Sequence, residues 1–326
     1  MADLRKMAAN MTETLQPPAE TNWAEAVRRL ARASLLVVGD LLLDRYVFGD
    51  VARVSPEAPV PVLTVAREVA LPGGAGNVVR NLTAIGAAVA FVSIVGDDQN
   101  GSDLTGLIGG QPGVEPWILV QGGRLTTVKS RFIAQGQQLF RADKDDPSPI
   151  HAKLAERMIR IAHDAMAATD ITVLTDYGQG VLAGDVAPQL IRAVKSLGRR
   201  VVVDPGTAAA GLARFAGADV LVPGRRLLAD LTGETAPTDE TLIQAAAALR
   251  AEHGFGAVLV FGAKDGLLLV NDAGAAHFPT EAAEYYDVLG ARDAVLGTLA
   301  AALGIGHALP VAARLAALAA GGGIGK

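Results

Sequence analysis

The sequence contains no cysteine, and this absence excludes several kinds of site at once. Disulfides, thiolate zinc sites and cysteine nucleophiles are all impossible in this chain. A protein without disulfides suits a reducing compartment, so we expect it to be cytoplasmic. The five histidines show no metal-ligand spacing, and neither a G-x-S-x-G turn nor a Walker P-loop is present. The sequence therefore predicts no metal site built from protein ligands.

Excess positive charge and long apolar runs are also missing. The formal net charge is −5, the pI is about 5.6, and no Lys/Arg-rich run offers a surface for nucleic acid. The N-terminal segment lacks the apolar core of a signal peptide, and no uninterrupted run of about 18 apolar residues could span a membrane. With 326 residues, half of them hydrophobic, the chain can bury a large core. We expect a soluble protein with neither nucleic acid nor membrane as a partner.

Apolar β-rich runs alternate with Ala- and Leu-rich helical stretches along most of the chain. The runs are LLVVGD, AFVSIVGD, ITVLTDYG, RVVVDPG, ADVLVPG and AVLVFG. This alternation predicts an α/β fold in which a doubly wound, mainly parallel sheet carries helices on both faces. Each run ends in Gly, Asp or Pro, so polar residues gather at the carboxyl edge, where such sheets bind ligands.

Two stretches break this rhythm and predict a small β lid over the ligand edge. Residues 46–66 and 117–143 alternate apolar with polar residues and contain hairpin-like glycine turns. Residues 1–21 are polar, contain Pro17 and Pro18, and predict a flexible N-terminal arm. Asn22 and Glu25 form a capping box that opens a single domain over residues 22–326.

A glycine-rich segment, LPGGAGNVVRNLTAIGA, precedes a predicted helix and leaves backbone amides open to a ligand. Its first glycines are Gly73, Gly74 and Gly76. One alternative is a dinucleotide-binding turn in which Val79 replaces the third glycine of G-x-G-x-x-G. Another is a plain glycine turn with Asn77 at the start of the helix.

Aspartates end several of the predicted strands. Asp40 and Asp44 flank LLL after the first run, while Asp176 and Asp204 end later ones. Carboxylates at strand ends can hold sugar hydroxyls by charge-assisted hydrogen bonds. Each of them is also a common turn former, so a solvated turn is the alternative.

The segment DVLGARDAVLG joins a small-residue turn to an apolar helix. Gly290 and Ala291 predict backbone N–H groups that face an anion, with Asp293 at the mouth of the helix. Arg292 stands in the middle of this turn. The alternative is structural, because aspartate is a preferred N-cap residue.

Longer stretches resemble a known family. VVGDLLLDRYVFGDVARVSPEAPVPVL and the glycine-rich segment are similar to the ribokinase-like (PfkB) sugar kinases, and within them to the heptose-7-phosphate kinases of the ADP-heptose pathway. TTVKSRFIAQGQQLFRAD and VLTDYGQGVL extend the resemblance, which runs from about residue 34 to the end. It implies ATP- and Mg²⁺-dependent phosphorylation of a sugar hydroxyl, and a β lid that serves as a homodimer surface.

The resemblance also assigns candidate site residues. It makes Asp293 the general base, and it places a sugar phosphate and a nucleotide on two sides of it. The sugar side comprises Asp40, Asp44, Gly73, Gly74, Asn77, Asp176, Arg131 and Gln135, and the nucleotide side comprises Gly290, Ala291, Arg292 and Arg225.

Departures from the family pattern lie on the nucleotide side. Arg292 replaces the second glycine of G-A-G-D, and PGRRL stands in place of P-N-x-x-E, whose polar groups organise magnesium and phosphate-bound water. Gln179 replaces the lysine of D-Y-G-K-G. Two hypotheses follow. The protein is a divergent sugar-phosphate kinase in which arginines neutralise phosphate, or it is a pseudokinase that binds a sugar phosphate or a protein partner and transfers nothing.

Overall fold

The computed structural model describes residues 15–206, 211–233, 237–262, 266–280 and 288–324. Residues 1–14 of the predicted arm lie outside this range, and Leu15 is buried in the core. The predicted capping box begins the first helix, where the Asn22 side chain accepts a hydrogen bond of 3.1 Å from the backbone N–H of Glu25. No helix in the described ranges has the length and apolar character needed to cross a membrane.

A large sheet, nine-stranded among the described residues, forms the centre of the molecule. Its strands are β1 (Ser34–Gly39), β4 (Ala88–Gly96), β5 (Val114–Gln121), β8 (Ile171–Thr175), β9 (Arg200–Asp204), β10 (Val220–Leu221), β11 (Ala257–Gly262), β12 (Gly266–Asn271) and β13 (Gly274–Phe278). They lie in the order β13-β12-β11-β10-β9-β8-β1-β4-β5. Pairing is parallel from β5 to β11, whereas β12 runs antiparallel to both of its neighbours. The doubly wound, mainly parallel sheet predicted from the six runs is confirmed.

Helices cover both faces of this sheet. They are α1 (Trp23–Arg29), α2 (Ala75–Ala84), α3 (Gln99–Gly109), α4 (Ala152–Ala168), α5 (Val186–Ser196), α6 (Arg225–Thr232), α7 (Asp239–His253), α8 (Val288–Gly304) and α9 (Leu309–Ile324). Successive side chains of a strand point to opposite faces. Accordingly, Leu35 and Val37 of β1 join the core under α2, α8 and α9, while Leu36 and Val38 join the core under α4, α5 and α7.

A separate four-stranded sheet forms the lid. Its strands are β2 (Leu41–Val54), β3 (Pro61–Gly74), β6 (Val128–Ala134) and β7 (Gln137–Lys144), in the order β3-β2-β6-β7. The prediction of lid strands from residue 117 is wrong for 117–121, since these residues lie in β5 and pair in parallel with β4. β5 is an edge strand whose Trp117 is 42% exposed, and its half-exposed alternation imitates that of a lid strand.

Candidate active site

Asp293 lies inside a helix and not at its mouth. α8 begins at Val288, so Asp293 is its sixth residue; the prediction that Asp293 lies at the mouth of the helix is wrong, and so is the alternative in which it caps the helix. Arginine at position 292 suits this helix, because glycine in the same place would weaken it by about 1 kcal/mol. The N–H groups of Arg292 and Asp293 lie beyond the first four residues of the helix, whose N–H groups alone lack helical acceptors.

Two donors hold the Asp293 carboxylate, which is only 5% exposed. The Tyr177 hydroxyl donates to Oδ1 at 2.6 Å, and Nδ2 of Asn77 donates to Oδ2 at 2.5 Å. Arg80 fixes the orientation of the Asn77 amide, because its Nη1 donates to Oδ1 of Asn77 at 3.2 Å. Asn77, expected on the sugar side, therefore contacts the candidate base itself.

The surroundings of Asp293 set its protonation near neutral pH. The pKa of Asp293 is raised to about 7, chiefly by burial and also by the charge of Asp204, against the hydrogen bonds from Tyr177 and Asn77 and the charge of Arg292, which lower it. Burial and the Asp293 charge keep the pKa of Tyr177 well above 10, so its hydroxyl stays a donor. A carboxylate with a pKa close to the working pH can both take up and release a proton, as a general base must.

Asp40 has a structural place in this arrangement. Its side chain is fully buried, and its two oxygens accept backbone N–H groups of Tyr177, Gln179 and Val181 at 2.7, 3.1 and 3.0 Å. Burial, together with the charge of Asp176, raises the pKa of Asp40 to about 6. Asp40 therefore fixes the loop that follows β8, and its contact with a sugar stays a prediction.

Asp176 and Asp204 are buried at the ends of neighbouring strands, and each faces an arginine. Arg214 lies 2.7 Å from Asp176, whose other oxygen accepts the Gly178 N–H at 2.8 Å. Arg292 pairs with Asp204, and its Nη2 also donates to the carbonyl oxygen of Val222 at 3.3 Å. Burial raises the pKa of both carboxyls, and the adjacent arginines oppose this shift. Asp176, another expected sugar contact, is thus engaged by protein groups.

Asp44 and Arg131 form an ion pair on the lid between the adjacent strands β2 and β6, where Arg131 stands opposite Tyr46, two residues along the strand from Asp44. Nη1 of Arg131 lies 2.5 Å from Oδ1 of Asp44. Gly73 lies against the other oxygen of Asp44, and a Cβ at this position would overlap it. Gly74 has φ +58°, and a Cβ there would come 2.5 Å from the Asp40 carbonyl oxygen. Four of the expected sugar-side residues therefore lie together at the junction of the lid and the large sheet: Asp44, Arg131, Gly73 and Gly74.

Gln135 lies away from this junction. It forms the exposed β6–β7 turn together with Gly136, with φ values of 51° and 76°. Two successive positive φ values belong to the tight hairpin turns that join antiparallel strands. Gln135 is therefore a turn residue, and the structure does not bring it together with Arg131.

The expected nucleotide-side residues lie near one another, because Gly290, Ala291 and Arg292 are consecutive in α8 and the Arg292 guanidinium lies beside Gly224, the residue before Arg225. Ala291 is fully buried within α8, next to Gly290. Arg225 begins α6 and donates to the Pro237 carbonyl oxygen at 2.8 Å, with Asp239 at 3.5 Å. Gln179 turns inward, and its Oε1 accepts a 2.7 Å hydrogen bond from Thr127.

The glycine-rich segment follows a lid strand that is antiparallel to β2, so it does not occupy the first turn of a βαβ unit. This position removes the dinucleotide alternative. Tyr177 and Arg214 were missed as site residues. The only signal for Tyr177 in the sequence is its place directly after Asp176 in TDYGQG.

A protein-family model described as pfkB family carbohydrate kinase matches residues 32–324 of the chain. The chain belongs to the PfkB family. The sequence resemblance is thereby confirmed at the level of the family, as is the ribokinase-like fold with its second small sheet.

Proteins similar to this PfkB family member include two named "Bifunctional protein HldE". The one from Acidiphilium cryptum is 57% identical over 301 residues, which cover 92% of this chain and 62% of that protein. The one from Paramagnetospirillum magneticum is 47% identical over 304 residues, covering 93% and 62%. The chain thus spans about 62% of the length of these two relatives.

Solved structures share the PfkB fold at low sequence identity. An Arabidopsis thaliana ribokinase complexed with ribose and ATP has a TM-score of 0.68 and 22% identity, covering 89% of this chain and 91% of that one. A tetrameric inhibited form of phosphofructokinase-2 from Escherichia coli has a TM-score of 0.74 and 17% identity, covering 90% and 94%. At these identities the likeness concerns the fold alone.

The family implies ATP and Mg²⁺ in general, and the residues that the structure describes do not fit the metal. Within the described ranges, no three His, Asp or Glu side chains are grouped to hold a metal ion. The nearby Asp204 is fully buried and paired with Arg292, and both Asp293 oxygens have protein donors. A magnesium ion usually needs one or two carboxylates that are free to face it.

Proposed function

We propose that the protein transfers the γ-phosphate of a nucleoside triphosphate to a hydroxyl of a sugar phosphate of the heptose 7-phosphate class. The observation that supports this proposal is the Asp293 carboxylate, which is buried at the carboxyl edge, held by two donors, and given a pKa of about 7. Phosphoryl transfer asks little covalent chemistry of a protein beyond an oriented hydroxyl and a proton acceptor. Asp293 supplies the acceptor.

In the proposed reaction, Asp293 takes the proton of the sugar hydroxyl while the hydroxyl oxygen forms a bond to the γ-phosphorus. The bond from that phosphorus to the diphosphate breaks, and the nucleoside diphosphate leaves. Asp44 and Arg131 are proposed to bind the sugar phosphate, because this pair offers hydrogen-bond acceptors to hydroxyls and a cation to the phosphate. No step is assigned to magnesium.

The test is a direct assay of transfer. The purified protein is incubated with heptose 7-phosphate, ATP and Mg²⁺, and the phosphorylated sugar is followed by ³¹P NMR together with ADP release. We expect turnover in the wild type and its loss in Asp293→Asn. Asp164→Asn makes the same chemical change at a side chain that is 89% exposed and serves as the matched control.

The same assay addresses the alternative hypothesis. A pseudokinase would show a rise in Tm on addition of the sugar phosphate without any product. That hypothesis stays a prediction, as does the homodimer formed through the lid, which the molar mass in solution would test.

A further inference from the structure

Tyr177 is held on a short loop whose backbone is fixed on both sides. Its N–H donates to Oδ2 of Asp40 at 2.7 Å. The next residue, Gly178, has φ +74° and donates its N–H to Asp176 at 2.8 Å. Two buried carboxylates therefore determine where the Tyr177 side chain leaves the loop.

The Tyr177 ring then passes the start of α2 on its way to α8. A Cβ placed on Gly74, the residue before α2, would lie 3.3 Å from Cδ2 of the ring, so the ring lies beside this glycine. At the far end of the ring, the hydroxyl donates to Oδ1 of Asp293 at 2.6 Å. One side chain thus joins the loop after β8, the start of α2, and the candidate base.

We propose that Tyr177 is a positioning residue for phosphoryl transfer, which holds the ionised Asp293 carboxylate in the orientation that receives the sugar proton. This inference rests on the proposed function. A hydrogen bond donated to a charged group is roughly twice as strong as a neutral one, so the hydroxyl favours the ionised, proton-accepting form of Asp293. The Asn77 amide donates to the other oxygen of Asp293 and favours the ionised form in the same way.

Replacing Tyr177 with phenylalanine removes the hydroxyl and keeps the ring beside Gly74. We expect the acid limb of the kcat–pH profile to move up by about one pH unit. At a pH below that limb kcat should fall about tenfold, and above it the loss should shrink. The KM for the sugar phosphate should change less than twofold, since Tyr177 acts through Asp293.

Tyr46→Phe is the matched control. Tyr46 lies on lid strand β2, where the guanidinium of Arg131 is 5.1 Å from its ring centroid. Loss of this hydroxyl should leave the acid limb in place, whatever its effect on KM. A wild-type pH profile in Tyr177→Phe would overturn the proposal, as would an equal shift in both variants.

A second measurement does not depend on turnover. Tm is recorded against pH for the wild type, Asp293→Asn, Tyr177→Phe and the double variant. A carboxyl whose pKa is raised on folding makes the protein lose stability as pH rises from the unfolded to the folded pKa. Relative to Asp293→Asn, the wild type should therefore stop losing stability near pH 7. In Tyr177→Phe this loss of stability with rising pH should continue to a higher pH than in the wild type. The double variant lacks the Asp293 carboxyl and should not show the loss.

The two measurements separate the inference from the proposed function. Turnover that depends on Asp293 but has an unshifted acid limb in Tyr177→Phe overturns the inference and leaves the function standing. Absence of turnover in the wild type overturns the function, and the Tm series then decides whether Tyr177 holds the carboxylate. If that loss of stability ends at the same pH with and without the hydroxyl, the inference is refuted.

Discussion

The pair of Arg292 and Asp204 offers the sharpest test of how this edge of the sheet is stabilised. Arg292→Met removes the guanidinium and keeps a good helix former at this position of α8. Asp204 is fully buried, and its Oδ2 has no hydrogen-bond partner in the structure. Burial raises the pKa of Asp204 and Arg292 lowers it, so removal of Arg292 should raise this pKa further.

The magnitude follows from the burial of the two partners. Breaking a buried ion pair by removing one partner costs about 3–5 kcal/mol. The Arg292 side chain keeps 22% exposure, so solvent screens part of the pair and we expect the lower end, about 3 kcal/mol at pH 8. At pH 5 the loss should be smaller, because Asp204, with its pKa raised further, can protonate instead of remaining an unpaired charge.

Urea unfolding at pH 5 and pH 8 measures this difference. Asp204→Asn removes the charge that Arg292 neutralises, so the double variant should recover at least about 1 kcal/mol relative to the sum of the single variants. Arg192→Met is the control, since Arg192 pairs at 3.3 Å with Asp185 where both side chains are more than 60% exposed. It should change stability by less than about 0.5 kcal/mol. A loss in Arg292→Met no larger than in this control, or strict additivity in the double variant, would refute the reasoning.

Three further predictions concern the site. Asp293→Asn should lower kcat by about 10²- to 10⁴-fold. As pH rises towards 7, the Tm of this variant should increase relative to that of the wild type, because the wild type then carries a buried charge. A Tm difference independent of pH would contradict this. Gly73→Ala should abolish the thermal shift given by a sugar phosphate, since the new Cβ displaces the Asp44 carboxylate; an undiminished shift would place the sugar elsewhere. Asp40→Asn should cost about 1–3 kcal/mol in urea unfolding, because an amide has one acceptor oxygen for three N–H donors; an unchanged midpoint would show that the loop holds itself.

The large sheet could be predicted from the sequence because its strands are buried on both faces. Runs such as LLVVGD and RVVVDPG are apolar without interruption and end in turn residues, a pattern that few other structures produce. β5 could not be assigned in this way. An edge strand has one exposed face and therefore the same alternation as a strand of the lid.

The site was predictable in its residue types and much less in its contacts. Asp40 and Asp44 are four residues apart, yet one turns into the core and the other lies on the lid, because the chain passes from β1 to β2 between them. The likeness of G-A-R-D to a glycine turn predicts Asp293 at a helix mouth, whereas the helix already includes this turn. A phenol that reaches across from another loop leaves no periodic signal, so Tyr177 could be found only in three dimensions.

The way in which the lid is joined to the large sheet has a mechanical consequence. A single residue, Asp40, separates β1 from β2, and α2 starts directly after β3 ends at Gly74. The loop bearing Tyr177 is bonded to Asp40, and Asn77 lies in the first turn of α2, so both donors to Asp293 are attached where lid strands are rooted. Under the proposed function, a sugar that presses on β2 or β3 would therefore also press on the residues that hold Asp293. The alignment of the proton acceptor would then depend on sugar binding.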